Sequence, residues 1–168
     1  MNRRIQSFPF SADKNARVLI LGSMPGEESL KQQQYYAHPR NLFWEMMDEL
    51  FGAGREVPYE KRLALLRKNG IALWDATHTC RRKGSLDSNM TDVAANDFKK
   101  LFTEAPQIHT VFFNGQTAAA LFRKLVLPEL NCGLELMTLP STSPANASVP
   151  PEKKKAAWKK IQTALCAG

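Results

Sequence analysis

The segment Tyr36-Ala37-His38-Pro39-Arg40-Asn41 sets a phenol, an imidazole, a guanidinium and a primary amide side by side, just before the apolar run Leu42-Phe43-Trp44. Such groups can stack on a ring, move a proton near neutral pH, hold a phosphate or read a polar edge. Upstream, the strand-like Val18-Leu19-Ile20-Leu21 empties into the turn Gly22-Ser23-Met24-Pro25-Gly26. A strand that ends in a Gly/Pro turn and then delivers such side chains ahead of a helix has the layout of an α/β active site. Spacing alone leaves two roles open for each residue. Asn41 reads first as a cap of the helix after it, His38 as a general acid or a hydrogen-bonded loop residue, and Tyr36 as an ordinary surface or core aromatic.

Several chemistries lose support at once. Gly22 to Gly26 lacks the G-x-x-x-x-G-K-[ST] spacing of a phosphate-cradling loop, and it is neither a G-x-G-x-x-G fingerprint nor a G-x-S-x-G elbow. Cys80, Cys132 and Cys166 are isolated, with no C-x-x-C pair, so neither a disulfide framework nor a zinc or iron–sulfur site is expected, and the thiols read as reduced and buried. No metal and no cofactor is called for.

The elements that must position these residues follow from hydrophobic patterning. Apolar runs at 17–21, 71–74, 109–113 and 134–139 are continuous rather than alternating, as in strands covered on both faces. Between them, Phe43, Met46, Met47 and Leu50 repeat at helical spacing, and helices are predicted over 42–50, 59–69, 97–104 and 116–125. A last helix opens at Pro150-Pro151, with Ala157, Trp158, Ile161, Ala164 and Leu165 on its core face and its lysines in solvent. The alternation predicts one domain over 1–168, a three-layer α/β/α sandwich around a four-stranded parallel sheet, with 1–14 a loosely packed lead-in. Ligands of such sheets bind beyond the carboxyl ends of the strands. Gly22 to Gly26, Asp75 to His78, Asn114 to Gln116 and Pro140 to Asn146 should therefore converge. With few carboxylates and many small polar residues, that pocket suits a nucleobase, with Gly22, Ser23, Met24, Asp75 and Asn114 at its edge.

A net charge of +7 favours a polyanionic partner. Arg40, Arg81, Arg82 and Lys83 fall near the candidate site, and Cys80 to Ser85 is either a phosphate contact or a solvated charge run. No apolar run approaches the roughly 20 residues of a membrane helix, so a soluble, cytoplasmic chain is expected; a monomer is the default, with nothing in the sequence against a dimer.

Gly22 to Gly26 taken with Leu139-Pro140-Ser141-Thr142-Ser143-Pro144 resembles the two signature motifs of the uracil-DNA glycosylase superfamily. The stretch Tyr36-Ala37-His38-Pro39-Arg40-Asn41-Leu42-Phe43-Trp44 is similar to the aromatic-Ala-His-Pro-x-Asn-x-Phe-Trp segment of its mismatch-specific members, and the likeness runs from Val18 to about Ser148. One departure stands out: Met24 occupies the position of the usual catalytic Asp or Asn. The variant resembles the hypoxanthine-DNA glycosylase branch, whose catalytic Asn lies further along the loop and matches Asn41. The resemblance implies base release from damaged DNA at deoxyinosine, with Asn41 positioning water and Tyr36 stacking on the extruded base. It also implies a role for Asp75 in contacting the base or assisting the water; a helix cap or a salt bridge to Arg81 is the competing account. Uracil or mispaired bases, or DNA binding without catalysis, are the alternatives. Phosphate contacts would fall to Arg40, Arg81, Ser141, Thr142 and Ser143, and Pro144 would stiffen a loop that presses into the duplex.

Overall fold

The computed structural model describes residues 3–130 and 133–167. The four apolar runs form strands β2 (Val18–Gly22), β3 (Ile71–Asp75), β6 (Thr110–Asn114) and β7 (Glu135–Leu139), which pair in parallel in the order β3-β2-β6-β7. Strands β2, β3 and β6 are buried at every residue, which is why they read as uninterrupted apolar runs. Register places Gly22 opposite Asp75, Leu21 opposite Phe113, and Asn114 opposite Leu139, so the carboxyl ends of all four strands come out together. The connections from β2 and β6 run to opposite sides, making the crevice between them a topological switch point.

Helices flank this sheet in the expected three-layer arrangement: α1 (Glu27–Gln32), α2 (Phe43–Phe51), α3 (Tyr59–Lys68), α4 (Phe98–Glu104), α5 (Gln116–Leu125), α6 (Pro151–Trp158) and α7 (Lys160–Ala167). Two of these depart from the sequence reading. The short α1 carries no apolar periodicity, and the predicted last helix is two, separated at Lys159. Its core face is as expected, with Trp158, Ile161 and Leu165 buried. Its lysines are not all in solvent, because Lys154 is buried and its Nζ donates to the Asn146 carbonyl at 2.7 Å.

A second sheet escaped the sequence reading. Strands β1 (Arg4–Gln6), β4 (Thr77–Arg81) and β5 (Thr91–Ala95) pair antiparallel in the order β1-β4-β5. All three are short and polar, so no apolar run announces them. Residues 3–14 are consequently not a loose lead-in. Ile5 pairs with Cys80, the Phe8 ring packs edge-on against Tyr35, and Ser11 exchanges backbone hydrogen bonds with Leu73. Cys80 is buried as expected, Cys166 is exposed instead, and Cys132, like Met1 and Asn2 of the lead-in, lies outside the described residues.

Each of the three tryptophans joins the core to a loop. The indole N–H of Trp44 donates to Tyr35 O at 2.7 Å, that of Trp74 to Phe8 O at 2.9 Å, and that of Trp158 to Pro140 O at 2.9 Å. Large rings bury the most apolar area while their single polar atom still needs a partner, so each one both packs and tethers. Trp158→Phe should cost about 2 kcal/mol through the lost hydrogen bond and volume, a fall of about 4–8 °C in melting midpoint for a domain of this size. Calorimetry checks this, and an unchanged midpoint would show that the Pro140 carbonyl does not depend on the indole.

Candidate active site

A cleft of about 770 Å³ opens where the parallel strands end. Its walls include Gly22 to Gly26, Asp75, Asn114 to Gln116, and Pro140 to Asn146, all from the four segments expected to converge, together with Tyr36, His38 and Asn41. Of the segment Asp75 to His78 only Asp75 reaches the wall, because Thr77 and His78 belong to β4.

Asn41 sits just ahead of α2. Its Oδ1 accepts from Phe43 N at 3.0 Å, so it covers the first N–H of the helix from one residue ahead of the cap position, Leu42. The role does not consume the amide, since a carbonyl oxygen has a second lone pair and the NH₂ group is separate. The capping bond fixes the rotamer, and Arg55, unnoticed in the sequence, fixes the backbone by donating to His38 O at 2.8 Å and Asn41 O at 3.0 Å. His38 Nδ1 accepts from Arg40 N, which in the neutral ring leaves the proton on Nε2. Arg40 is exposed and outside the cleft wall.

Tyr36 stacks on Phe43 with ring centroids 4.1 Å apart, and its backbone is left-handed at φ 55, a costly conformation for an aromatic residue. Its hydroxyl comes close to Asp75 across Gly22. A β-carbon at Gly22 would collide with Asp75 Oδ1 and stand 2.8 Å from Tyr36 Oη, so only glycine lets both oxygens meet the strand end. Among the described residues neither Tyr36 Oη nor Asp75 Oδ2 has a hydrogen-bond partner. The Asp75 carboxyl is 3% exposed. Burial, then the neighbouring Asp87 carboxyl, pushes its pKa up to about 7, with Arg82 pulling the other way. The alternative salt bridge to Arg81 does not form: Arg81 lies in β4 outside the cleft wall and its Nε is 3.4 Å from Asp92 Oδ2. Burial, followed by Asp75, also raises the Tyr36 phenol, which stays protonated.

Asn114 and Thr142 both line the cleft, as expected, and they also bind each other. Asn114 Nδ2 donates to Thr142 Oγ1 and Asn114 Oδ1 accepts from Thr142 N, both at 2.9 Å. Asn114 thus clasps the loop after β7, and one N–H and one oxygen lone pair of its amide are left over from these two bonds. Thr142 is 1% exposed, so its hydroxyl is turned away from any phosphate. Gly115 makes the clasp possible: its φ is +99, and a β-carbon there would come within 3.1 Å of Ser141 Cβ. Ser141 and Ser143 fit the expected role better. Each hydroxyl oxygen accepts a backbone N–H, from Ser143 and Ala145 respectively, which leaves its own O–H to donate outward. Pro144 lines the cleft beside them.

The segment Arg82 to Asn89 is tied to the cleft by bonds that no sequence pattern announces. Arg82 is neither a phosphate contact nor solvated: it is 4% exposed, with Nη2 donating to Pro25 O at 2.6 Å and Nε to Gly84 O at 2.8 Å. Ser85 Oγ accepts from Glu27 N at 2.8 Å, and the Ser23 hydroxyl donates to Asp87 Oδ1 at 2.8 Å. Ser23 and the buried Met24 remain on the cleft wall, as expected. Asp87, Glu27 and Glu28 also line it, so the cleft holds more carboxylates than the motif segments suggested. Burial raises the Asp87 pKa as well.

A carboxyl raised on folding binds its proton more tightly in the native state than in the unfolded chain. The Asp75 contribution to stability should therefore fall as pH rises from about 4 to about 7 and level off above. Asp75→Asn removes that penalty. It should be more stable than wild type in urea unfolding near pH 8, with the difference vanishing near pH 4; lower stability near pH 8 would mean that the ionised carboxylate is held by a favourable partner.

Comparison with known proteins agrees with this geometry. A profile of the Uracil DNA glycosylase superfamily matches residues 8–162. A Methanosarcina acetivorans protein named hypoxanthine DNA glycosylase is 39% identical over 142 residues, 84% of this chain and 87% of that relative. A Methanosarcina barkeri protein of the same name is 39% identical over 112 residues, 66% of this chain and 71% of the relative. The solution NMR structure of a Methanosarcina acetivorans protein, provisionally named a uracil DNA glycosylase, superposes with a TM-score of 0.81 at 34% identity, covering 97% of this chain and 99% of that one. By sequence over most of its length and by fold, the chain belongs to the uracil DNA glycosylase superfamily.

Proposed function

We propose that the protein is a monofunctional DNA glycosylase that removes hypoxanthine from deoxyinosine in DNA and leaves an abasic site, acting as a monomer. The observation that carries this reading is convergence: Tyr36 and Asn41 from the segment between α1 and α2, Asp75 from the end of β3 and the serines of the 140–146 loop after β7 open on one cleft. The curated relatives named hypoxanthine DNA glycosylase support the choice of base.

The chemistry is light enough for these groups. The bond between the sugar C1′ and the base N9 breaks with its electron pair leaving on the base; a water oxygen bonds to C1′, and the proton that water sheds passes to the base or to solvent. The base must first leave the stack at a cost of a few kcal/mol. Asn41, its rotamer fixed by Phe43 N, offers the free lone pair of Oδ1 to the attacking water, and such positioning is itself worth several kcal/mol. Met24, at the position of the superfamily's usual catalytic residue, has a thioether that cannot take the task.

Tyr36 and Asp75 suit the base. Near neutral pH the Asp75 carboxyl is substantially protonated, so it presents one donor and one acceptor, the complement of a lactam edge such as O6 and N1–H of hypoxanthine. Uracil and xanthine carry the same kind of edge. Ser141 and Ser143 hydroxyls and the Arg40 guanidinium would meet phosphates, which position the strand without reading sequence.

The test is base release from oligonucleotides carrying one deoxyinosine, uracil or xanthine, with alkali to cleave abasic sites. Wild type should release hypoxanthine preferentially. Asn41→Ser keeps an oxygen that can cap α2 but loses the amide, and should release base at least ~10²-fold more slowly with little change in melting midpoint. Faster release of uracil would overturn the base assignment. DNA binding without release of any base would replace catalysis with a binding role.

A further inference from the structure

Arg55 lies in the short link between α2 and α3 and is exposed, yet its guanidinium does not simply reach into water. Its Nη2 donates to His38 O at 2.8 Å and to Asn41 O at 3.0 Å, the two ends of a turn that Asn41 N closes on the same His38 carbonyl at 2.9 Å. His38 and Asn41 both line the cleft, so the guanidinium stands against the backbone of the wall that carries Asn41.

The charge of Arg55 is left unanswered there. Carbonyls accept its hydrogen bonds without neutralising it, and among the described residues it forms no ion pair. Asp48 and Glu56 turn instead toward Gly54, where a β-carbon would stand 2.7 Å from Asp48 Cγ and from Glu56 Oε1. Other cations lie close by. Arg62 is buried over the Trp44 ring at 4.6 Å, and burial first and Arg55 second hold its pKa below the ordinary value, with Tyr59 and Glu56 opposing. Arg40, inside the turn, is exposed and forms no ion pair among the described residues. Cations so grouped favour an anion, and the planar fork of arginine matches a phosphate. Both bonds of Arg55 come from Nη2, so Nε and Nη1 keep their N–H donors for that acceptor.

We infer that Arg55 is a positioning residue that links strand binding to base release. Its free edge takes a backbone phosphodiester of the strand carrying the target nucleotide, while Nη2 holds the 38–41 turn and with it the pose of Asn41. A nucleotide seated in the cleft brings its flanking phosphates to the rim, and on a protein of net charge +7 those are the anions that reach this spot. The bond-breaking step stays with Asn41.

The inference rests on the glycosylase reading, and the experiment separates the two. Affinity for a deoxyinosine duplex is measured as a function of salt, and hypoxanthine release under single-turnover conditions at saturating protein, for wild type, Arg55→Gln and Arg55→Lys. Arg55→Gln removes the charge and should flatten the slope of log K against log salt by about 0.9, the loss of one phosphate contact. Arg55→Lys keeps the charge and should keep the slope, yet release base ~10-fold more slowly at saturation, because an ammonium lacks the fork that holds two carbonyls and a phosphate at once. An unchanged slope in Arg55→Gln would overturn the phosphate contact. An unchanged saturated rate in both variants would overturn the positioning role, and either result leaves the glycosylase standing. No release of any base by wild type would overturn the glycosylase reading and, with it, the link to Asn41. Rates and affinities referred to the titrated concentration of binding-competent protein keep a loss of folded fraction out of both readouts.

Discussion

The cleft depends on Thr142. This buried residue exchanges two hydrogen bonds with the Asn114 amide, and its carbonyl accepts Leu42 N at 3.1 Å. Three walls meet at this point: the end of β6, the loop after β7, and the start of α2 where Asn41 sits. The physical reason is simple. The 140–146 loop crosses the end of a fully buried sheet, where unpaired backbone groups are costly, so each must find a partner inside the protein. Satisfying them places Ser141 and Ser143 outward and Asn41 beside the cleft. Lys154 and Trp158 secure the same loop from α6, through Asn146 O and Pro140 O.

Electrostatics divides the molecule in a way that its net charge conceals. The surface is basic, but the cleft carries Asp75 and Asp87, both raised by burial. Arg82 is drawn inward and lowers both. A buried guanidinium so placed organises the 22–26 turn and moderates two carboxyls, while Arg40 and Lys83 remain exposed. Keeping Asp75 near its own midpoint at neutral pH makes it a donor as well as an acceptor, which a solvated carboxylate cannot be.

Asn41 shows why a cap and a functional amide need not be rival descriptions. The bond from Phe43 N uses one lone pair and costs the side chain its freedom, and fixed orientation is what a water-positioning group requires. With Met24 at the position of the usual acidic or amide residue, the proposed water-positioning group lies at the start of α2 and not at the end of β2. Tyr36 carries strain at the same junction, with its left-handed backbone supported by stacking on Phe43.

The parallel sheet was legible in the sequence because burial on both faces forces continuous apolar runs, and the strand ends lay within a residue of where those runs stop. Gly22, Asp75 and Asn114 could be placed on one cleft because residues at the carboxyl ends of parallel strands must meet, whereas Tyr36 and Asn41, beyond α1, were joined to it by motif resemblance. Other features left no such trace. The antiparallel sheet is short and polar, and the inward turn of Thr142, Arg82 and Lys154 depends on partners 28, 57 and 8 residues away in the chain. Sequence by itself determined which residues could do chemistry and which strand end each would occupy, since hydrophobic period is a local property. Only the tertiary structure decided which polar groups were consumed in holding the loops and which were left to face the cleft, because a hydrogen bond between distant segments exists only once folding has brought them together.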